Sequence, residues 1–131
     1  MRVAACFGTD LDIIEPCAFP LTAKGIRKAA MDYGAAISPV RHGSWRQYCA
    51  SEAASKGRLV LFTTRGAQSL WDFEFHPDDR LLFGRESAGV PDDVHEQADA
   101  RVIIPILPET RSLNVVVSSG IALAEAQRQL R

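Results

Sequence analysis

The chain has 131 residues, of which 47% are hydrophobic and 24% are charged, and this is the composition of one globular domain with its own apolar core. No run approaches the roughly 18 to 20 consecutive apolar residues of a membrane span, and the N-terminus lacks a signal-peptide pattern, so we expect a cytoplasmic protein. The three cysteines, Cys6, Cys17 and Cys49, are too widely spaced for a metal knuckle or a disulfide framework, and no metal site is expected.

The net charge of −1 does not by itself favour a nucleic-acid partner, but the charges are unevenly distributed. Residues 1–66 carry nine Lys/Arg and five acidic residues, a balance of +4, whereas the remainder carries six and eleven, a balance of −5. Such an asymmetry suits a phosphate-binding face on one side of a dimer, and it equally suits a solvated surface with no partner.

Short apolar runs alternate with helix-like stretches along the whole chain. In chain order the pattern predicts a helix at 1–7 ending at Gly8, a strand at 11–14, a helix at 22–33 ending at Gly34, a strand at 36–40, a helix at 44–56 capped by Ser44 and ending at Gly57, strands at 59–63 and 81–83, a short helix at 91–97, a strand at 102–104, and a long helix at 112–130.

This alternation predicts an α/β fold with a parallel sheet and helices on both of its faces. The runs LVLF at 59–62 and VIIP at 102–105 are apolar at successive positions. Strands that are buried on both faces have this pattern, whereas half-exposed strands alternate apolar and polar residues. No repeat or linker is evident, so we expect a single domain over residues 1–131.

Three loops that follow predicted strands carry unusual residues, namely 63–66, 84–91 and 105–114. In open α/β sheets, ligands bind at the carboxyl ends of the strands, so these loops are the expected site. Gly84 and Gly89 permit close backbone approach, and Ser112 is the expected N-cap of the last helix. Each signal is weak alone, and the chain contains neither a Walker phosphate loop nor a GxGxxG motif.

Taken together, the sequences of these loops are specific enough to indicate a protein family. The strings LLFGRESAGVP and VIIPILPETRSLN resemble motifs two and three of the SPOUT, or trefoil-knotted, RNA methyltransferases. Upstream, DLDIIEPCAFPLTAKGIRKAAMDYGA resembles a segment of the tRNA wobble-position 2′-O-methyltransferases. The resemblance extends from Arg2 to about Leu130.

This resemblance implies a deep C-terminal trefoil knot whose loops form a pocket for S-adenosylmethionine. It also implies transfer of a methyl group to a ribose 2′-hydroxyl of tRNA, at the wobble position 34 in the anticodon stem-loop. By similarity, the cofactor is held largely by main-chain groups, at Phe62, Thr63, Gly84, Glu86, Gly89, Ile104, Ser112 and Leu113. Plain core packing is the alternative explanation for the side chains of Phe62 and Ile104.

Four residues align with the family's catalytic positions. Arg2 aligns with the proposed base or ribose-orienting arginine, although a guanidinium holds its proton firmly. Glu86, Ser112 and Asn114 align with residues that position the RNA and the site loops, and they could equally be a solvated loop acid, an N-cap and an N-terminal helix residue. Further candidates for phosphate contact are Arg65, Arg85, Arg111 and His42.

Family members dimerise through the last helix, whose small residues permit close helix approach, so we expect a homodimer. Relatives also begin with a hydrophobic strand and an Asn-containing loop before the arginine, and we expect that first strand to be absent here. Either the start of the sequence is placed too late, or the chain is a truncated relative. Two alternatives to a tRNA 2′-O-methyltransferase remain. The chain is a catalytically inactive homologue that binds cofactor or RNA as a dimer, or it is a generic nucleotide-binding α/β domain without a knot.

Overall fold

The structure, a computed structural model, describes residues 2–15, 39–65, 68–84, 90–107 and 114–131. It divides into two compact units, Met1–Ser55 and Lys56–Arg131. The helix predicted at 22–33 and most of the strand predicted at 36–40 lie outside the described residues.

The described residues of the first unit form two short helices, a 3₁₀ turn and a pair of parallel strands. Helix α1 spans Arg2–Phe7 and is followed by Gly8 at a φ of 62°, as the sequence predicts. Strands β1, Asp12–Ile14, and β2, Val40–His42, pair in parallel. The second strand therefore runs beyond the predicted end at residue 40.

The single helix predicted at 44–56 is wrong, because the structure contains two shorter pieces. Ser44 is the N-cap, as predicted, but helix α2 covers only Trp45–Cys49, and a 3₁₀ turn follows at Glu52–Ala54. The Ser51 hydroxyl donates to the Tyr48 carbonyl at 2.6 Å. Serine hydroxyls that bond to nearby carbonyls compete with the helical ladder, which accounts for the early end.

In the second unit, the part of the chain that the structure describes forms a four-stranded parallel sheet. Its strands are β3, Leu59–Phe62; β4, Gln68–Ser69; β5, Arg80–Phe83; and β6, Ala100–Ile103. Their order is β4-β6-β3-β5, and each neighbouring pair is parallel. Residues 59 to 61 of β3 are buried, as expected for a strand covered on both sides. The predicted parallel α/β fold is confirmed.

Helices lie on both faces of this sheet. Val60 and Val102 point to one face and join a buried cluster with Ala126 of helix α4, Val115–Leu130. Arg101, adjacent to Val102, points to the opposite face, where its guanidinium donates to the His95 and Glu96 carbonyls. These carbonyls belong to helix α3, Asp92–Gln97, so α3 covers the second face.

The start of the last helix differs from the prediction. Ser112 is the predicted N-cap, but α4 begins at Val115, and Asn114 is the N-cap whose side chain accepts the Val116 N–H at 2.7 Å. Ser and Asn are both favoured N-cap residues, and the helix begins after Asn114 rather than after Ser112. Residue 112 lies outside the described residues.

The amino-terminal end of β3 is anchored by an ion pair. The Arg58 guanidinium donates to both carboxylate oxygens of Asp79, at 2.9 and 2.7 Å, and the Asp79 side chain is 3% exposed. Desolvation would raise the pKa of Asp79, but the hydrogen bonds from Arg58 and from the His76 N–H, together with the Arg58 charge, outweigh it and lower that pKa.

Two sequence-based predictions about the architecture stay predictions. The trefoil knot would involve residues 85–89 and 108–113, which are not among the described residues. The single domain over residues 1–131 likewise stays a prediction. Within the described ranges, none of the helices has the length and apolarity to cross a membrane.

Candidate functional site

Three adjacent strands of the second unit end at one edge of the sheet, which we call the carboxyl edge. Phe62, the last residue of β3, pairs with Phe83 of β5 and with Val102 of β6. Thr63 and Gly84 follow directly, and Ile104 follows the end of β6. The structure thus brings together four of the predicted cofactor residues, because parallel strands all end at the same edge.

The side chains at the carboxyl edge are largely structural. The rings of Phe62 and Phe83 are stacked at a centroid distance of 4.9 Å and an angle of 14°. Phe62 and Ile104 both pack against the buried core cluster. Their predicted part in cofactor binding would therefore come from main-chain groups and from the apolar surface that they present.

Thr63 determines how the chain leaves β3. Its N–H donates to the Val102 carbonyl at 3.0 Å, so the ladder to β6 extends one residue past the strand. Its hydroxyl oxygen accepts the N–H of Arg65 at 3.1 Å. A Thr hydroxyl bonded to the N–H two residues later stabilises a tight turn, and the loop after β3 therefore begins with a defined direction.

Arg65 follows that turn and lies close to the start of α3. Its Nη1 atom is 3.1 Å from an Asp92 carboxylate oxygen. Both side chains are exposed, by 54% and 88% respectively. Arg65 was predicted as a phosphate contact, whereas the pairing with Asp92, 27 residues away, has no signal in the sequence.

Asn114 has one side-chain atom committed to structure and another that can contact a ligand. Its Oδ1 accepts the Val116 N–H in the N-cap, and its Nδ2 group carries two further donor hydrogens. The residue is exposed at the beginning of α4. The predicted RNA-positioning role and the capping role are therefore compatible.

The other predicted residues are not brought together by the described part of the structure. Arg2 is the first residue of α1, in the first unit, and its role stays a prediction. The remaining ones lie outside the described residues, and their roles likewise stay predictions: Arg85, Glu86, Gly89, Arg111, Ser112 and Leu113.

His42 has a structural environment that disfavours its predicted phosphate contact. It is 8% exposed, and its Nε2 atom lies 2.8 Å from the Asp12 carboxylate. Its ring contacts the edge of the Tyr48 ring at a centroid distance of 5.1 Å. A buried histidine between a carboxylate and an aromatic ring holds β1, β2 and α2 together.

Sequence reasoning missed Phe83 and Asp92. Phe83 could have been found, because it ends the strand predicted at 81–83, and parallel pairing puts that end beside the end of the strand predicted at 59–63. Within the described residues, no group of three or more His, Cys, Asp or Glu side chains could hold a metal ion.

Comparison with known proteins identifies relatives over almost the entire chain. The family model described as the SpoU rRNA methylase family matches residues 1–124. The chain is 48% identical over 130 residues to the tRNA (cytidine(34)-2'-O)-methyltransferase of Beijerinckia indica, covering 99% of this chain and 81% of that enzyme.

Solved structures share the fold. One, concerned with the 2-OH methylation of C/U34 on tRNA, has a TM-score of 0.85 and 35% identity, over 98% of this chain and 84% of that one. The AdoMet-bound rRNA methyltransferase of Sinorhizobium meliloti has a TM-score of 0.83 and 26% identity, over 99% of this chain and 50% of that one.

Proposed function

Because this chain belongs to the SpoU rRNA methylase family, we propose that it is a tRNA 2′-O-methyltransferase acting on the ribose of nucleotide 34. The observation that carries this proposal is the high identity, over nearly the full chain, to an enzyme named for that reaction. The three-strand carboxyl edge supports it, since this is where α/β sheets bind ligands.

We infer that S-adenosylmethionine binds at this edge, and a related methyltransferase of the same fold is AdoMet-bound. The residues present fit such a group. Half-buried apolar side chains at Phe62, Phe83 and Ile104 suit an adenine ring, and the chain at Thr63 and Gly84 brings main-chain groups past the strand ends. When bound, the cofactor supplies a methyl group already activated on a sulfonium.

The protein must then orient the 2′-hydroxyl and help to remove its proton as the methyl group is transferred. We assign Arg2 to the acceptor side, as the base or ribose-orienting group. Because a guanidinium holds its own proton firmly, Arg2 would orient the ribose oxygen while the 2′-hydroxyl proton passes to a neighbouring RNA phosphate. Glu86, Ser112 and Asn114 would position the RNA and the site loops. For Asn114, the Nδ2 amide is the group that can donate to an RNA oxygen, since its Oδ1 caps α4.

We further propose a homodimer formed through α4. Val116 and Val117 in its first turn are 56% and 50% exposed, and a Cβ built on Gly120 meets no atom within 4 Å. An open face with small and apolar residues permits close approach of a second helix. Its tRNA substrate would place the activity in the cytoplasm.

The proposal is tested by incubating the purified chain with methyl-labelled S-adenosylmethionine and bulk tRNA, followed by nuclease digestion and mass mapping. A 2′-O-methyl group at nucleotide 34 is expected, and tRNA carrying a 2′-deoxynucleotide there should remain unlabelled. Cofactor binding without any transfer to tRNA would overturn the enzyme assignment and would favour the non-catalytic alternative. Light scattering in the same buffer measures the dimer.

A further inference from the structure

Arg65 is a cation at the carboxyl edge with a weak protein partner. It stands three residues beyond the last residue of β3, in the turn that the Thr63 hydroxyl stabilises. Its guanidinium makes a hydrogen bond with Asp92 at 3.1 Å, and both side chains are mostly exposed. Exposed ion pairs of this kind contribute little to folding stability because water screens them.

Other arginines of the second unit have clear structural contacts. Arg58 makes a two-atom pair with the nearly buried Asp79, and Arg101 donates to two carbonyls at the end of α3. Arg128 makes a two-atom pair with Glu125 within α4. Compared with these, the side-chain contact that Arg65 makes among the described residues is one hydrogen bond to an 88% exposed carboxylate, and it is easily exchanged for another anion.

We propose that Arg65 binds a backbone phosphate of the RNA strand beside the target ribose, and that Asp92 holds the guanidinium in its place until the phosphate replaces the carboxylate. This inference rests on the proposed function, because that function brings the acceptor strand to the carboxyl edge. Each ribose in RNA is flanked by phosphates, and phosphate competes with carboxylate for the same guanidinium hydrogens.

The two partners should have opposite effects on binding. Removing the Arg65 charge deletes a phosphate contact, so affinity for tRNA falls. Removing the Asp92 charge deletes the competitor, so affinity rises. If the pair only stabilised the fold, the two substitutions would impair the protein in the same direction.

The test measures the dissociation constant for tRNA between about 50 and 200 mM salt. Arg65→Gln should weaken binding about tenfold at the lower salt and reduce the slope of log K against log salt by about 1. Asp92→Asn should tighten binding about twofold to fivefold. Lys56→Gln is the matched control, since Lys56 is exposed and precedes the opposite, amino-terminal end of β3, and it should leave the slope unchanged.

Methylation assays separate this inference from the proposed function. Arg65→Gln should raise KM and leave kcat nearly unchanged, since Arg65 is assigned to binding. If wild type methylates tRNA and Arg65→Gln has the same salt slope as Lys56→Gln, the inference is overturned while the function stands. If wild type transfers no methyl group, the function itself fails. Should Arg65→Gln prove unfolded, Asp92→Asn decides by comparison with Asp93→Asn, which removes a like charge from the next exposed residue. Loss of either acid weakens repulsion of RNA, but only a carboxylate that competes for Arg65 predicts clearly tighter binding for Asp92→Asn than for Asp93→Asn.

Discussion

Gln129 bonds the backbone of Phe75 and of Phe73 through its side-chain amide: its Oε1 accepts the N–H of Phe75 at 2.8 Å. Its Nε2 donates to the Phe73 carbonyl, also at 2.8 Å. The amide therefore replaces the strand neighbour that residues 73–75 would otherwise need. The rings of Phe73 and Phe75, both buried, meet edge to face at 4.9 Å. One side chain thus attaches the C-terminal end of α4 to the core.

Gln129→Leu should lower the free energy of unfolding by about 2 kcal/mol, since it leaves a main-chain donor and an acceptor without their partner in a part-buried place. Urea unfolding measures the effect. Gln129→Glu, which keeps the acceptor but loses the donor, should be destabilised as well, and its new charge would face Glu125. A Leu variant as stable as wild type would show that water satisfies these groups.

Gly57→Ala should be strongly destabilising, by roughly 3 kcal/mol or more. A Cβ at Gly57 would lie 1.8 Å from the Asp78 carbonyl oxygen, and the residue has a φ of 78°. Gly8→Ala is the matched control, because Gly8 has a similar φ of 62° but a Cβ there meets nothing within 4 Å. It should cost only about 1 kcal/mol of backbone strain. Thermal unfolding compares the two, and equal losses would contradict the steric explanation.

The Arg58–Asp79 pair should make the free energy of unfolding depend on pH in the acidic range. The folded-state pKa of Asp79 is lowered, so the stabilisation is fully present above the unfolded pKa of about 3.9 and is lost as the pH falls through the folded value. Asp79→Asn should cost about 2 kcal/mol at neutral pH, and the difference from wild type should shrink below about pH 4. Asp78→Asn, on the exposed neighbour, is the control. A difference that is constant with pH would exclude the ion pair as its source.

Asn114 offers a way to separate capping from catalysis. Asn114→Ser keeps a capping side chain and should keep stability within a few tenths of a kcal/mol, whereas Asn114→Ala should lose about 1 kcal/mol. If the Nδ2 amide positions RNA, both variants should lose methyl transfer to a similar extent. Retention of wild-type kcat/KM in Asn114→Ser would mean that the residue acts only as the N-cap.

Much of the fold could be predicted from local patterns. The consecutive apolar residues of LVLF predicted a strand buried on both faces, and Gly8 has the positive φ expected after a helix. Gly57 also has a positive φ, although the helix predicted before it ends at Cys49. The strand β4 could not be predicted, because two residues are too few to show a period. Strand β6 begins at Ala100, two residues before the predicted start. The prediction began after Arg101 because a charged residue interrupts the apolar run, but the Arg101 guanidinium donates to a carbonyl of α3 and the residue is part of the strand.

The sequence by itself determined the alternation of strands and helices, the loops at the strand ends and the family to which the chain belongs, because these depend on neighbouring residues and on motif spacing. Only the tertiary structure decided the order β4-β6-β3-β5, the meeting of Phe62 with Phe83 and the pairing of Arg65 with Asp92. The physical reason is distance along the chain: Gln129 and Phe75 are 54 residues apart, and no local preference of either residue specifies their contact. Packing of the whole core brings such residues within hydrogen-bonding distance.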